Sequence, residues 1–286
     1  MGQAGRMPPV DHLRAPAKLT RALRVVGVRG DGYHLLEAEM ATLALTDELE
    51  IEEGADGFEV VDEVAFVAEG AALPTRPRPG GHSGGPGPVT VPPGQENLVV
   101  RALAAVGRRA RVRLVKRIPA GAGLGGGSSD AAAVLRWAGV LDPAVAVGLG
   151  ADVPFCVIGG RALVSGIGEL VEPLGFEAFT AVLVVPALAV STPEVYRVWD
   201  ALGGPAGEHA NDLEPAAVVV EPRLAWWRDL VAAVAGERPR LAGSGGTWYL
   251  ERDPETAAQL VVELRGAVRA EHGRALVVSA ESTPRL

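Results

Sequence analysis

The chain is poor in lysine and asparagine. Its 286 residues hold only two lysines, Lys18 and Lys116, and two asparagines, Asn97 and Asn211. Arginine supplies nearly all of the 27 basic groups. A base-composition bias toward Ala, Gly, Val, Arg and Pro is enough to make lysine rare. It does not decide where the survivors fall. Lysine is a compact point charge with a tunable pKa, whereas arginine is a broad planar fork. Under such bias a retained lysine marks a position where arginine does not serve.

Other absences exclude whole classes of protein. With the single cysteine Cys156, no internal disulfide can form, which fits a reducing compartment. There is no basic excess: 35 acidic residues against 27 basic ones leave a net charge of −8. Nucleic acid is therefore not expected as a partner, because phosphate binding along a chain needs a basic surface. The longest apolar stretch, residues 179–190, is too short to span a bilayer and contains Pro186. The first fifteen residues lack a signal core, and Arg6 stands where a myristoylation signal wants Ser or Thr. The expectation is a cytoplasmic protein with no membrane partner. Its oligomeric state is not legible. What is present is a hydrophobic share of 48%, ample for a core, over a length that suits two compact domains.

Residues 1–14 read as a loose leader. Residues 16–29 read as a strand ending at the Gly30-Asp31-Gly32 turn, and a second strand closes around Glu48–Glu52. The Pro/Gly-rich segment 69–96, densest over 74–94, cannot form a regular element and reads as a mobile surface loop. Asn97–Val106 has helical spacing, and Arg111–Ile118 alternates as a basic strand. A glycine-rich loop, Pro119–Gly127, follows, with Ser128 or Ser129 as the cap of the next helix. Residues 140–149 are expected as a loop, and Phe155–Val164 and Ala181–Val185 as apolar strands. Helices are expected over Thr192–Leu202, Arg223–Ala235 and Pro254–Ala270. A second glycine turn, Leu241–Thr247, precedes a strand at Trp248–Glu251, and Ala275–Ser279 is the last strand. The mixture predicts two α+β domains, 1–162 and 163–286.

The loop Pro119–Asp130 carries the chemistry. Strand, glycines and helix start present free N–H groups to an anion, and the helix dipole adds to the potential there. A Walker loop is excluded, since no Gly-Lys-Ser/Thr follows. Gly121, Gly123 and Gly126 match the dinucleotide pattern G-x-G-x-x-G, a common accident among 37 glycines, and the strand before them is too basic to be a buried parallel strand.

The string GLGGGSSDAA within Pro119–Ala133 instead resembles the phosphate loop of the GHMP small-molecule kinases. Further segments match in order: Pro16-Ala17-Lys18-Leu19, Asp31-Gly32-Tyr33-His34-Leu35, residues 97–102, Leu149-Gly150-Ala151-Asp152-Val153-Pro154, residues 192–196, residues 211–214 and Gly243-Ser244-Gly245-Gly246. The second of these resembles the branch that phosphorylates a CDP-linked polyol for isoprenoid precursors. The resemblance implies a ribosomal-S5-domain-2-like N-terminal domain and a ferredoxin-like C-terminal domain. It implies ATP and Mg²⁺, and transfer of the γ-phosphate to an alcohol. Asp152 would be the base and Lys18 its partner, stabilising alkoxide. Gly121, Gly123, Leu124, Gly125, Gly126, Gly127, Ser128 and Ser129, with Pro119, would hold the triphosphate. Asn97, Leu98 and Lys116 would lie near adenine. Thr20, Tyr33, His34, Tyr196, Gly243, Ser244 and Gly245 would bind the cytidyl substrate. No metal cluster is visible.

The chain departs from the family pattern in places. Thr20 stands for the usual Asn, Arg21 for an apolar residue, and Gly246 for Ala. Other expectations kept open are a GHMP kinase for mevalonate, homoserine or a sugar, a catalytically weak nucleotide-binding homologue and a nicotinamide-dependent dehydrogenase.

Overall fold

The computed structural model describes residues 9–67, 94–207 and 210–285. The Pro/Gly-rich segment falls outside them up to residue 93; residues 94–96 form a single 3₁₀ turn.

Two sheets organise the chain. β1 (Val10–Val28) and β2 (His34–Glu53) form a long antiparallel hairpin around the Gly30–Gly32 turn. β1 thus begins at Val10, where a leader was expected: Val10–Ala15 pair with Asp47–Glu52. β3 (Gly57–Asp62) runs parallel to β4 (Ala110–Lys116), which pairs with β2. β5 (Arg161–Gly166) and β6 (Leu170–Pro173) extend the other edge. The second sheet is antiparallel, in the order β10–β7–β9–β8. Its strands are β7 (Thr180–Pro186), β8 (Arg240–Leu241), β9 (Trp248–Arg252) and β10 (Ala275–Glu281). The class is α+β. The expected division after residue 162 cuts β5, which is bonded to β2; the sheets change over between Pro173 and Thr180.

The helices that matter for the site have readable causes. α1 (Leu98–Ala105) starts where the Asn97 side chain accepts from the Val99 N–H at 2.9 Å. α2 (Gly126–Trp137) starts differently from expectation. Its cap is Gly125, left-handed at φ 67°, and neither serine caps it. A left-handed residue costs a side chain about 1–2 kcal/mol, so glycine fits there. α3 (Pro143–Leu149) replaces the expected loop: Asp142 caps the Ala144 N–H, and Pro143 opens the first turn. α4 (Val153–Ile158) replaces the first part of the expected 155–164 strand. Six apolar residues are too few for periodicity to separate helix from strand. α5 (Thr192–Ala201) starts at the Ser191 cap, and α7 (Arg223–Ala235) and α8 (Pro254–Ala270) lie where periodicity predicts them. α6 (Glu214–Val220) was not predicted.

A small apolar cluster joins the sheets. Ala17 and Leu19 of β1 meet Leu183 of β7, Tyr249 of β9 and Leu124 of the loop, all buried. Alternation along β1 puts the intervening Lys18 and Thr20 on its other face. Arg21, one residue on, reaches Glu39 of β2, Glu177 of the linker and Glu251 of β9 at 2.7–3.1 Å. It is thus a tie between the sheets, and its side chain is not in the wall of the main cavity.

Candidate active site

Lys18 is bracketed by bulges. The β1–β2 register shifts between Pro16 and Lys18 and again between Thr20 and Ala22. Bulges re-aim side chains, and here they turn Lys18 into a cavity of about 800 Å³. The ammonium lies 3.2 Å from the Asp152 carboxylate and 3.1 Å from Thr20 Oγ1, to which it donates. Lys18 is buried, yet the Asp152 side chain keeps 32% exposure. Asp152 stands at the N-cap position of α4 without capping it, so its carboxylate is turned to Lys18 instead. Both side chains line the cavity.

The glycine loop holds Lys18 from above. Lys18 N–H donates to the Leu124 carbonyl at 2.9 Å. A Cβ on Gly125 would sit 2.6 Å from Lys18 Cγ. The glycine therefore makes room for the lysine as well as for the turn. The second glycine turn packs on the first, backbone to backbone. A Cβ on Gly123 would meet the Gly245 carbonyl oxygen at 2.4 Å, and one on Gly246 would meet the Ala122 carbonyl at 2.9 Å. That explains glycine where the family pattern has alanine. Thr247 Oγ1 fastens the two turns by donating to the Ala122 carbonyl at 2.6 Å.

A second cavity, of about 300 Å³, runs along the glycine loop from Asn97 and Leu98 to Ser128. Gly123 and Ser128 are in the walls of both cavities. The first N–H groups of α2, free of helical partners, lie between them. Of the residues expected at nucleotide, only Leu124 and Ser129 are absent from this wall; both are buried. Ser129 Oγ has no partner.

Lys116 lines the second cavity, but its ammonium is engaged elsewhere. It is bonded to Asp47 and, at 2.7 Å, to Asp130, and all three side chains are at most 3% exposed. Asp47 also accepts from the Arg117 and Ile118 N–H groups at 2.6 and 2.8 Å. Lys116 was expected near adenine; it stands in the wall shared with Asn97 and Leu98, with its ammonium sealed by the two carboxylates. Burial pulls the ammonium down, but Asp130 and Asp47 together hold it above its ordinary value. Burial pushes the Asp130 carboxyl up to about 7 against the pull of Lys116. Its Oδ1 has no partner, which fits that direction. Nearby, burial pushes the Cys156 thiol up to about 12, so it stays protonated and inert.

The far end of the large cavity is aromatic. His34 stacks on Tyr196 at 4.6 Å and 25°, and meets Trp199 edge-on at 5.6 Å. Tyr33 is exposed, with the Arg29 guanidinium 5.4 Å from its ring centre. Thr20, Tyr33, His34, Tyr196, Gly243 and Ser244 line the cavity; Gly245 does not, and packs on Val190 instead. The sequence reading missed Thr192, whose hydroxyl is 2.7 Å from Ser244 Oγ, and Asp200, which bonds His34. It also missed Asp47 and Asp130. No local signal marks partners that lie 69 and 14 residues from Lys116.

Residues 97–160 match the model of the GHMP kinases N-terminal domain. A 4-diphosphocytidyl-2-C-methyl-D-erythritol kinase of Pelotomaculum thermopropionicum is 37% identical, covering 88% of this chain and 92% of its own. One of Dinoroseobacter shibae is 34% identical over 87% and 88%. A crystal structure of 4-(cytidine 5'-diphospho)-2C-methyl-D-erythritol kinase superposes with a TM-score of 0.70 at 32% identity, over 96% of this chain and all of that one. The chain belongs to the 4-diphosphocytidyl-2-C-methyl-D-erythritol kinase family. As a member of that family it is a small-molecule kinase of the two-domain GHMP fold, and ATP use comes with the family. In this chain Thr20 holds Lys18, and Arg21 ties the sheets. Among the described residues no helix is long and apolar enough to cross a membrane.

Proposed function

We propose that the chain transfers the γ-phosphate of ATP to a hydroxyl of 4-diphosphocytidyl-2-C-methyl-D-erythritol, in the non-mevalonate route to isoprenoid precursors. The observation that carries this reading is the Lys18–Asp152 pair, 3.2 Å apart in a cavity that meets the phosphate loop at Gly123 and Ser128 and ends at His34 and Tyr196. Phosphoryl transfer needs mainly positioning and charge stabilisation. The acceptor oxygen attacks the γ-phosphorus, the bond to the bridging oxygen breaks, and the hydroxyl proton goes to Asp152. Lys18 stabilises the negative oxygen. The N–H groups at the start of α2 and the Ser128 hydroxyl face the phosphates, while Asn97 and Leu98 wall the base.

Mg²⁺ fits as a companion of the nucleotide. Among the described residues no group of three or more His, Cys, Asp or Glu could hold a metal. Mg²⁺ commonly keeps waters and phosphate oxygens as ligands, and Ser128 is the protein donor nearest in kind. Bound there, it would neutralise charge on the phosphates. The large cavity's aromatic end suits a flat base, and its glycine turn at Gly243 suits a diphosphate. We place the boundary between the two domains in the 174–179 linker, and the protein in the cytoplasm with its ATP. Neither nucleic acid nor membrane is a partner in this reading.

The test is an acceptor panel with ATP and Mg²⁺: the cytidyl polyol, mevalonate, homoserine and a sugar. Transfer to the first alone is expected. Turnover of another acceptor without it would assign the chain to a different GHMP activity, and ATP binding without any transfer would leave a binding protein.

A further inference from the structure

Asp200 lies four residues after Tyr196 on α5, so the two share one helix face. Its carboxylate Oδ1 is 2.8 Å from His34 Nε2. The imidazole is half enclosed by Tyr196 and Trp199, with its side chain 12% exposed. Among the described residues Nδ1 has no hydrogen-bond partner. His34, Tyr196 and Asp200 all line the large cavity that holds Lys18 and Asp152.

An ionised carboxylate only accepts, so the contact requires a proton on Nε2. In the neutral imidazole Nδ1 is then a bare lone pair. A group that meets it must donate. The exocyclic amino group of cytosine donates, whereas uracil offers a carbonyl oxygen at the same place, which would face an acceptor with an acceptor.

We infer that Asp200 is a specificity-determining positioning residue, which fixes the His34 proton on Nε2 so that Nδ1 selects an amino-bearing pyrimidine over a carbonyl-bearing one. The inference rests on the cytidyl reading of the same cavity. Asp200 touches neither the reacting atoms nor the phosphates. It acts through His34, by excluding the wrong base as much as by favouring the right one.

Two readouts on the full chain test it. The first is the ¹⁵N spectrum of the imidazoles, with His34→Gln identifying which of the five histidine signals belongs to His34. The native chain is expected to show the Nε2–H form without any ligand. The second is calorimetric binding of CDP and of UDP to the native chain and to Asp200→Asn. A carboxamide can turn either its oxygen or its amide to Nε2, so it releases the tautomer while keeping the shape. The preference for CDP over UDP is expected to fall by about tenfold or more in Asp200→Asn, because a mismatched polar pair discriminates strongly. An unchanged thermal midpoint shows that the variant folds. A proton found on Nδ1 in the native chain overturns the inference, as does an Asp200→Asn variant that keeps the native preference. If the native chain does not prefer CDP at all, the cytidyl reading fails with it; if it does and the variant does too, only the role of Asp200 fails.

Discussion

The two lysines sit on either side of one glycine loop and live in opposite electrostatic settings. Lys18 has one carboxylate, Asp152, which keeps contact with an open cavity, and one hydroxyl. Lys116 has two carboxylates, both sealed from solvent. The first cation has room to meet a ligand oxygen. The second is over-neutralised inside the protein, with a spare carboxylate that burial keeps from ionising easily. A buried cation with two bonded partners holds structure; a buried cation with one exposed partner is free to do chemistry. Scarcity of lysine in the sequence pointed to both positions, yet it could not tell these roles apart.

The comparison predicts a split between stability and activity. The largest effect on stability comes from Lys116→Met, which leaves Asp47 and Asp130 buried without their cation. Removing one partner of a buried ion pair costs about 3–5 kcal/mol, readable as a lower urea midpoint at pH 7. The largest effect on rate comes from Asp152→Asn, which removes the proposed base. Transfer should fall by about 10²–10⁴-fold with the thermal midpoint unchanged. A fall in both would merge the two regions and contradict the split.

Gly125→Ala tests the contact between loop and Lys18. The new methyl would press on Lys18 Cγ, and the residue sits at φ 67°. A displaced catalytic group costs about 10²-fold in rate, with about 1–2 kcal/mol of stability lost to the left-handed backbone. Steady-state transfer and urea unfolding, measured side by side, check both numbers.

A further effect is on pH dependence. The fold raises Asp130 from 3.8 to about 7, so in that window the native state holds more protons than the unfolded chain. Stability from this group is full below the unfolded value and is lost as pH rises through about 7. Asp130→Asn should flatten that fall in a series of urea unfolding curves. An unchanged slope would show that the carboxyl is not the group responsible.

Much of the site was legible because it is written locally. The loop 119–130 and the long helices α7 and α8 each carry their signal within about a dozen residues. What was illegible depends on distance or on brevity. β3, β6 and α6 are at most seven residues long, too short for periodicity to decide. α4 reads as a strand because all of its residues are apolar or small. The Asp142-Pro143 start of α3 was a usable signal, since aspartate caps a helix and proline suits its first turn. The Ser128 and Ser129 cap failed because a left-handed glycine one turn earlier already starts the helix. Arg21 looked like a defect by local pattern. It is explained by Glu177 and Glu251, which are far along the chain.

The most direct test is Lys18→Arg, which keeps the charge and changes only its shape. Phosphate transfer from ATP to the cytidyl polyol and thermal unfolding are measured on the same sample. The broad guanidinium cannot fit under Gly125 beside Asp152 and Thr20, so transfer should be nearly abolished while the unfolding midpoint stays close to native. Near-native transfer would contradict the assignment of Lys18 to the chemistry and return its rarity to base composition alone.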